Sequence, residues 1–139
     1  MNNSPIVIVE DDKDDCDILI SVFKEIGVKN EFRCFTTPIK AIEYLRTTAE
    51  TPFIIISDIN MPEMNGLKFK EVINEDKLIQ HKRIPFVLFS TSKENSQIAK
   101  AFHLAVQGYF KKPGDLESLK GIARTIVEYW KHSPFHQPD

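Results

Sequence analysis

The sequence predicts an α/β fold: a doubly wound, five-stranded parallel sheet with helices on both faces. Three observations predict it. Short apolar runs alternate with helix-period segments along the whole chain, giving about five βα units in succession. The runs Ile6–Val9, Ile54–Ile56 and Ile84–Phe89 are apolar throughout rather than alternating, as strands covered on both faces require. Two of them end in acid: Ile6-Val7-Ile8-Val9 before Glu10-Asp11-Asp12, and Ile54-Ile55-Ile56-Ser57 before Asp58. In open α/β sheets, the carboxyl ends of the strands are where ligands bind.

The elements follow in order. Ile6–Val9 reads as the first strand. Cys16, Leu19, Ile20, Phe23 and Ile26 keep the helical i, i+3, i+4, i+7 spacing, and Gly27 stands where a C-terminal cap belongs. Phe32–Phe35 is a short second strand. Thr37 and Pro38 suit an N-cap and a first helical residue, with Ala41, Ile42 and Leu45 as the buried stripe. Phe53–Ser57 is the third strand, and Leu67 to about Lys77 the third helix. Ile84–Phe89 is the fourth strand, and Ile98, Ala101, Phe102 and Ala105 mark the fourth helix. Gly108–Phe110 is the fifth strand. Asp115 then caps a long last helix through Leu116, Leu119, Ile122, Ala123, Ile126 and Trp130. Residues 1–132 read as one domain. The Pro-rich 133–139 segment reads as a flexible tail.

Composition narrows the class. The chain has 139 residues, 42% of them hydrophobic and 27% charged, with a formal net charge of −2. That size can bury one real core. The charge gives no general pull toward nucleic acid or anionic membrane, and Lys and Arg form no basic stripe. No apolar run is long enough to span a bilayer, and no charged-then-apolar leader opens the chain, so a cytoplasmic protein is expected. Cys16 and Cys34 lack metal or CxxC spacing and read as small apolar residues in a reducing compartment. His81, His103, His132 and His136 share no metal spacing.

The strand ends collect a specific set of groups. The first strand offers Glu10, Asp11 and Asp12, and the third Asp58. The fourth offers Ser90 and Thr91, and the fifth Lys111 and Lys112 before Pro113. Converging carboxylates repel one another unless a cation joins them. Carboxylates and carbonyls suit Mg²⁺, and a lysine serves phosphate as a point charge. An aspartate can itself be the nucleophile and form an acyl phosphate. Acids, a hydroxyl and an amine at one edge are therefore the parts for handling a phosphoryl group. Taken singly, each is unremarkable: Glu10 and Asp11 could open a helix, and Ser90 could be a buried hydroxyl bonded to backbone. Asp14, Asp15 and Asp17 read as surface and first-turn acids.

Four pieces, in this order, resemble the receiver domains of bacterial two-component response regulators. They are Val9-Glu10-Asp11-Asp12; Asp58-Ile59-Asn60-Met61-Pro62-Glu63-Met64-Asn65-Gly66; Ile84-Pro85 through Ser90-Thr91-Ser92; and Gly108-Tyr109-Phe110-Lys111-Lys112-Pro113. The resemblance extends to about Trp130 and is nearest the stand-alone type. It implies the flavodoxin-like strand order 2-1-3-4-5. It also implies that Asp58 is the phosphoacceptor and that Glu10, Asp11, Asp58 and the backbone carbonyl of Asn60 hold Mg²⁺. Ser90 and Tyr109 match the switch residues, and Lys112 the family lysine, whose bond to Pro113 is cis in that family. The implied donor is a histidine kinase or histidine phosphotransfer protein. The implied output is a downstream partner, or self-association, through the face of the fourth helix, fifth strand and last helix. Such a chain promotes only its own phosphorylation and dephosphorylation and is not a turnover enzyme. Two other classes share the layer order. A flavin-binding electron carrier needs a phosphate loop where this chain has Glu10-Asp11-Asp12-Lys13. An aspartate-nucleophile phosphatase pairs its nucleophile with an acid two residues on, where this chain has Asn60.

Overall fold

The computed structural model describes residues 4–91 and 94–133. Five parallel strands, β1 (Ile6–Val9), β2 (Phe32–Phe35), β3 (Ile54–Asp58), β4 (Phe86–Ser90) and β5 (Gly108–Lys111), form one sheet in the order β2-β1-β3-β4-β5. The helices are α1 (Lys13–Glu25), α2 (Pro38–Thr47), α3 (Gly66–Glu75), the single turn α4 (Lys77–Gln80), α5 (Asn95–His103) and α6 (Leu116–Lys131). Strand parity divides the core in two. Ile6, Ile8, Ile54, Ile56, Val87 and Phe89 face α1 and α6, meeting Phe23 and Trp130. Val7, Val9, Ile55, Phe86 and Leu88 face α2, α3, α4 and α5, meeting Leu45, Phe69 and Ile79. Both faces are covered, so the inner strands have no use for polar alternation. Each Leu, Ile or Phe wholly removed from water contributes roughly 1.5–3 kcal/mol.

Local signals set the helix ends. The Asp12 side chain accepts from Asp14 N at 2.9 Å and Asp15 N at 3.4 Å, capping α1. Gly27, at φ 94°, takes the left-handed turn that ends it, and Val28 N donates to Phe23 O at 3.0 Å. Thr37 Oγ1 caps α2 through Lys40 N, and Asn65 Oδ1 caps α3 through Lys68 N.

Several expectations need correction or adjustment. The third helix, expected to about Lys77, stops at Glu75. The Asp76 side chain accepts from Leu78 N and Ile79 N and starts α4 as a separate turn. The fourth strand starts at Phe86, not Ile84, because Pro85 brings no N–H to the ladder. Cys16 and Cys34, expected as reduced thiols, form a disulfide between α1 and β2. The register seats Cys34 beside Ile8, on the face against which Cys16 packs, and the two Cα atoms lie 6.9 Å apart. The Lys112–Pro113 bond is trans where the resemblance implies cis. Trans is the isomer a prolyl bond prefers by roughly 0.5–1 kcal/mol.

Of the expected 133–139 tail, residues 134–139 lie outside the described residues, as do Ser92 and Lys93. Among the described residues no helix is long and apolar enough to cross a membrane.

Candidate functional site

The strand order reverses between β1 and β3: β2 lies to one side of β1, and β3 and β4 to the other. That reversal opens a crevice at the carboxyl edge. The register pairs Val9 with Ser57, so the residues that follow, Glu10 and Asp58, emerge there side by side. Carboxylate oxygens of Glu10, Asp11 and Asp58 all lie within 4.8 Å of one another. Glu10 is 6% exposed and Asp58 9%, while Asp11 is open to solvent.

Lys112 joins them from β5. Its backbone N donates to Ser90 O at 2.7 Å, which fixes it just past the end of the sheet. Its Nζ lies 3.2 Å from Glu10 Oε1 and 3.3 Å from Asp58 Oδ2. Lys111, one residue earlier, points the opposite way and is exposed. Asp58 Oδ1 accepts from Ile59 N at 2.8 Å, so each oxygen of this carboxylate has a donor.

One ammonium does not balance three acids. Burial, with the hydrogen bond and charge of Asp58 beside it, pushes the Glu10 carboxyl up to about 8 despite Lys112. Burial pulls the Lys112 ammonium down, but the charges of Asp58 and Glu10 outweigh it and hold the amine above its usual range. Glu10 Oε2 is buried with no hydrogen-bond partner. A divalent, oxygen-preferring cation fits this donor set: it would meet the orphaned oxygen and bring a cluster of about −3 plus one ammonium to neutrality.

The remaining predicted residues sit around this cluster. Asn60 is exposed in the loop that follows Asp58. That loop turns back tightly: Gly66 N donates to Ile59 O at 2.8 Å, and a Cβ on Gly66 would stand 2.2 Å from Asp58 O. Ser90 ends β4 fully buried, opposite Lys111. Tyr109 is half-buried beside Leu88, with its hydroxyl 3.5 Å from Gln97 Oε1 on α5. Asp12 caps α1 with its side chain. A mouth of about 490 Å³ opens over the acids between α1 and the start of α6, bounded by Ile18, Thr91, Pro113 and Leu116.

Sequence reasoning missed Asp15. It was expected as a surface acid, yet its Oδ2 stands 4.0 Å from Lys112 Nζ at this mouth. The available signal was its place in the first turn of the helix that follows Glu10-Asp11.

Comparison with known proteins agrees with this geometry. The model of the response regulator receiver domain matches residues 6–124. The response regulator Rcp1 of Synechocystis sp. (strain ATCC 27184 / PCC 6803 / Kazusa) is 28% identical over 131 residues, covering 90% of this chain and 87% of its own. The probable methanogenesis regulatory protein FilR2 of Methanothrix harundinacea (strain 6Ac) is 27% identical over 130 residues, covering 90% and 82%. The solved structure of the phosphorylated cyanobacterial phytochrome response regulator RcpA superposes with a TM-score of 0.84 at 29% identity, covering 94% of this chain and 96% of that one. Family, fold and acidic edge coincide: the chain belongs to the response regulator receiver domains, the phosphoacceptor signalling modules of two-component systems.

Proposed function

We propose that Asp58 is the residue that accepts the phosphoryl group, with Glu10, Asp11, Asp58 and the Asn60 backbone carbonyl as the Mg²⁺ ligands. The observation that carries this is the charge imbalance at the crevice: three carboxylates within 4.8 Å, one ammonium, and a buried Glu10 oxygen without a partner. Bound Mg²⁺ would supply positive charge against the phosphoryl oxygens and the acids together.

The chain's own residues do the rest. An Asp58 carboxylate oxygen attacks phosphorus, an acyl phosphate forms, and the bond to the donor's imidazole nitrogen breaks with its electron pair leaving on nitrogen. Lys112, already bonded to Asp58 Oδ2, meets the charge that arrives on the phosphoryl oxygens. The Ser90 hydroxyl donates to one of those oxygens and so links phosphorylation to β4. The donor is a histidine kinase or histidine phosphotransfer protein. Its access is through the mouth beside Ile18 and Leu116, which are 44% and 57% exposed. The output surface is the face of α5, β5 and α6, where Phe102 is 81% exposed. It engages a downstream protein or a second copy. The chain promotes only its own phosphorylation and dephosphorylation.

The test is intact-mass measurement after incubation with Mg²⁺ and acetyl phosphate. The native chain should gain one phosphoryl mass and Asp58→Asn none. Equal labelling of the two would reject the assignment.

A further inference from the structure

The edge of the sheet opposite the acids holds a second cavity, and a lysine is buried in its wall. Lys70 sits on α3 one helical turn past Gly66, on the face turned toward the core, and is only 5% exposed. Its sequence neighbours explain the placement. Leu67, Phe69 and Ile73 carry the buried stripe of α3, and Lys70 falls inside that stripe rather than on the solvent side.

A buried ammonium normally has a carboxylate partner. Among the described residues none pairs with Lys70. The Phe86 ring lies beside it, with its centroid 5.4 Å from Nζ. Burial alone pulls its amine below the usual lysine range, with no acid to oppose it.

Lys70 lines a cavity of about 240 Å³ at the amino ends of β4 and β5. Arg83, Gln80 and Gln107 line it as well, and Ile73 and Ile79 are among its apolar walls; no acid does. Gln107 Oε1 accepts from Phe86 N at 2.8 Å, which keeps its –NH₂ end as a donor. Two cations, an amide donor and aliphatic walls around a small space select a ligand that is anionic at one end and apolar at the other. An inorganic oxyanion would satisfy the cations but leave the isoleucine walls unmatched.

We propose that this cavity binds a small organic carboxylate, with Lys70 and Arg83 meeting the carboxylate and Ile73 and Ile79 flanking its apolar body. The site lies at the far edge from Asp58 and does not depend on the phosphoacceptor assignment.

The test is an NMR titration of the isotope-labelled full chain with butyrate, butyramide and inorganic phosphate, each into the millimolar range. Butyrate should give saturable shifts at Lys70, Arg83 and Gln107 and should raise the Lys70 pKa read at its ε-carbon. Butyramide, the same shape without the charge, should give none. Lys70→Met should weaken butyrate at least about tenfold, the order expected for one charge-assisted hydrogen bond. That variant should stay folded and melt higher than the native chain, because it removes an uncompensated buried charge. Arg83→Gln, at an exposed position, should weaken butyrate severalfold whatever Lys70→Met does to folding. Butyrate shifts that never saturate, or that survive in Arg83→Gln and Lys70→Met alike, would overturn the proposal. Phosphate saturating the same residues as tightly as butyrate would reject the organic ligand in favour of a bare anion.

Discussion

Lys112 Nζ lies 3.3 Å from Asp58 Oδ2, across 54 residues of sequence. The contact exists because β3 and β5 flank β4, and because Lys112 N is held to Ser90 O. The same ammonium reaches Glu10 Oε1 at 3.2 Å, so three separate segments meet on one charge.

Lys112→Met should therefore separate two properties. Without the ammonium, Glu10 and Asp58 face each other unpaired, and the metal-free variant should melt below the native chain. Mg²⁺ should restore much of that loss, since the acids remain. Phosphorylation by acetyl phosphate should slow by about 10²-fold, the scale of losing one donor aimed at developing charge. Calorimetry with Mg²⁺ and a mass time course read the two effects. A native rate of labelling in the variant would remove Lys112 from the chemistry.

Glu10 sets a pH dependence of stability. Its carboxyl is raised from 4.5 to about 8 in the folded, metal-free chain. Between those values the folded state holds a proton that the unfolded state has released. Stability of the metal-free chain should therefore fall as pH rises through that window. Glu10→Gln cannot titrate, so in the presence of a chelator it should be the more stable protein, by a margin that grows from about pH 4.5 to about 8. Mg²⁺ affinity of the native chain should rise over the same range, with proton release on binding. Urea melts at several pH values check the first part; parallel native and Glu10→Gln curves would contradict it.

Gly66→Ala tests how tightly the loop after β3 holds Asp58. Within a helix this change usually stabilises by about 1 kcal/mol. Here the added Cβ would stand 2.2 Å from Asp58 O and 3.0 Å from Ile59 Cα, both backbone atoms with no flexible end to yield. The sign should invert, with a loss of roughly 1–3 kcal/mol, and phosphorylation should slow because Asp58 moves with its carbonyl. Equal or higher stability in a denaturant melt would show that the loop relaxes freely.

Much of this architecture was legible in the chain because local and global signals agree. Ile6–Val9 and Phe32–Phe35 occupy the predicted spans, and Thr37 and Asp115 cap the helices they were expected to cap. Acids that end buried runs at Val9 and Ser57 meet because the strand order puts β1 beside β3. What remained hidden depends on tertiary register. The Cys16–Cys34 bond needs β2 seated beside Ile8, which neither cysteine's spacing encodes. Asp15 belongs to the site only because Lys112 arrives from β5. The split at Asp76 was hidden for a different reason: a single side chain captures two backbone amides and starts a new turn there.

Ser90 is buried at the end of β4, and Tyr109 stands on β5 beside Leu88, its hydroxyl 3.5 Å from Gln97 Oε1 on α5. If Asp58 carries the phosphoryl group as proposed, its oxygens would add strong acceptors beside the end of β4, and a shift of β4 would alter the space open to Tyr109. A local charge event then biases a two-state packing element. Moving a population from mostly off to mostly on takes roughly 5 kcal/mol of differential stabilisation. Two or three charge-assisted hydrogen bonds, at about 1.5–3 kcal/mol each, supply that. Hydrogen exchange with and without beryllofluoride should show altered protection over 94–105 and 107–112, covering α5 and β5, and Ser90→Ala should blunt the change. Phe102 and Tyr129, exposed on α5 and α6, lie where a partner would sense it. Protection that shifts only near Glu10 and Asp58, or a Ser90→Ala response equal to that of the native chain, would mean that the signal leaves this domain by another route.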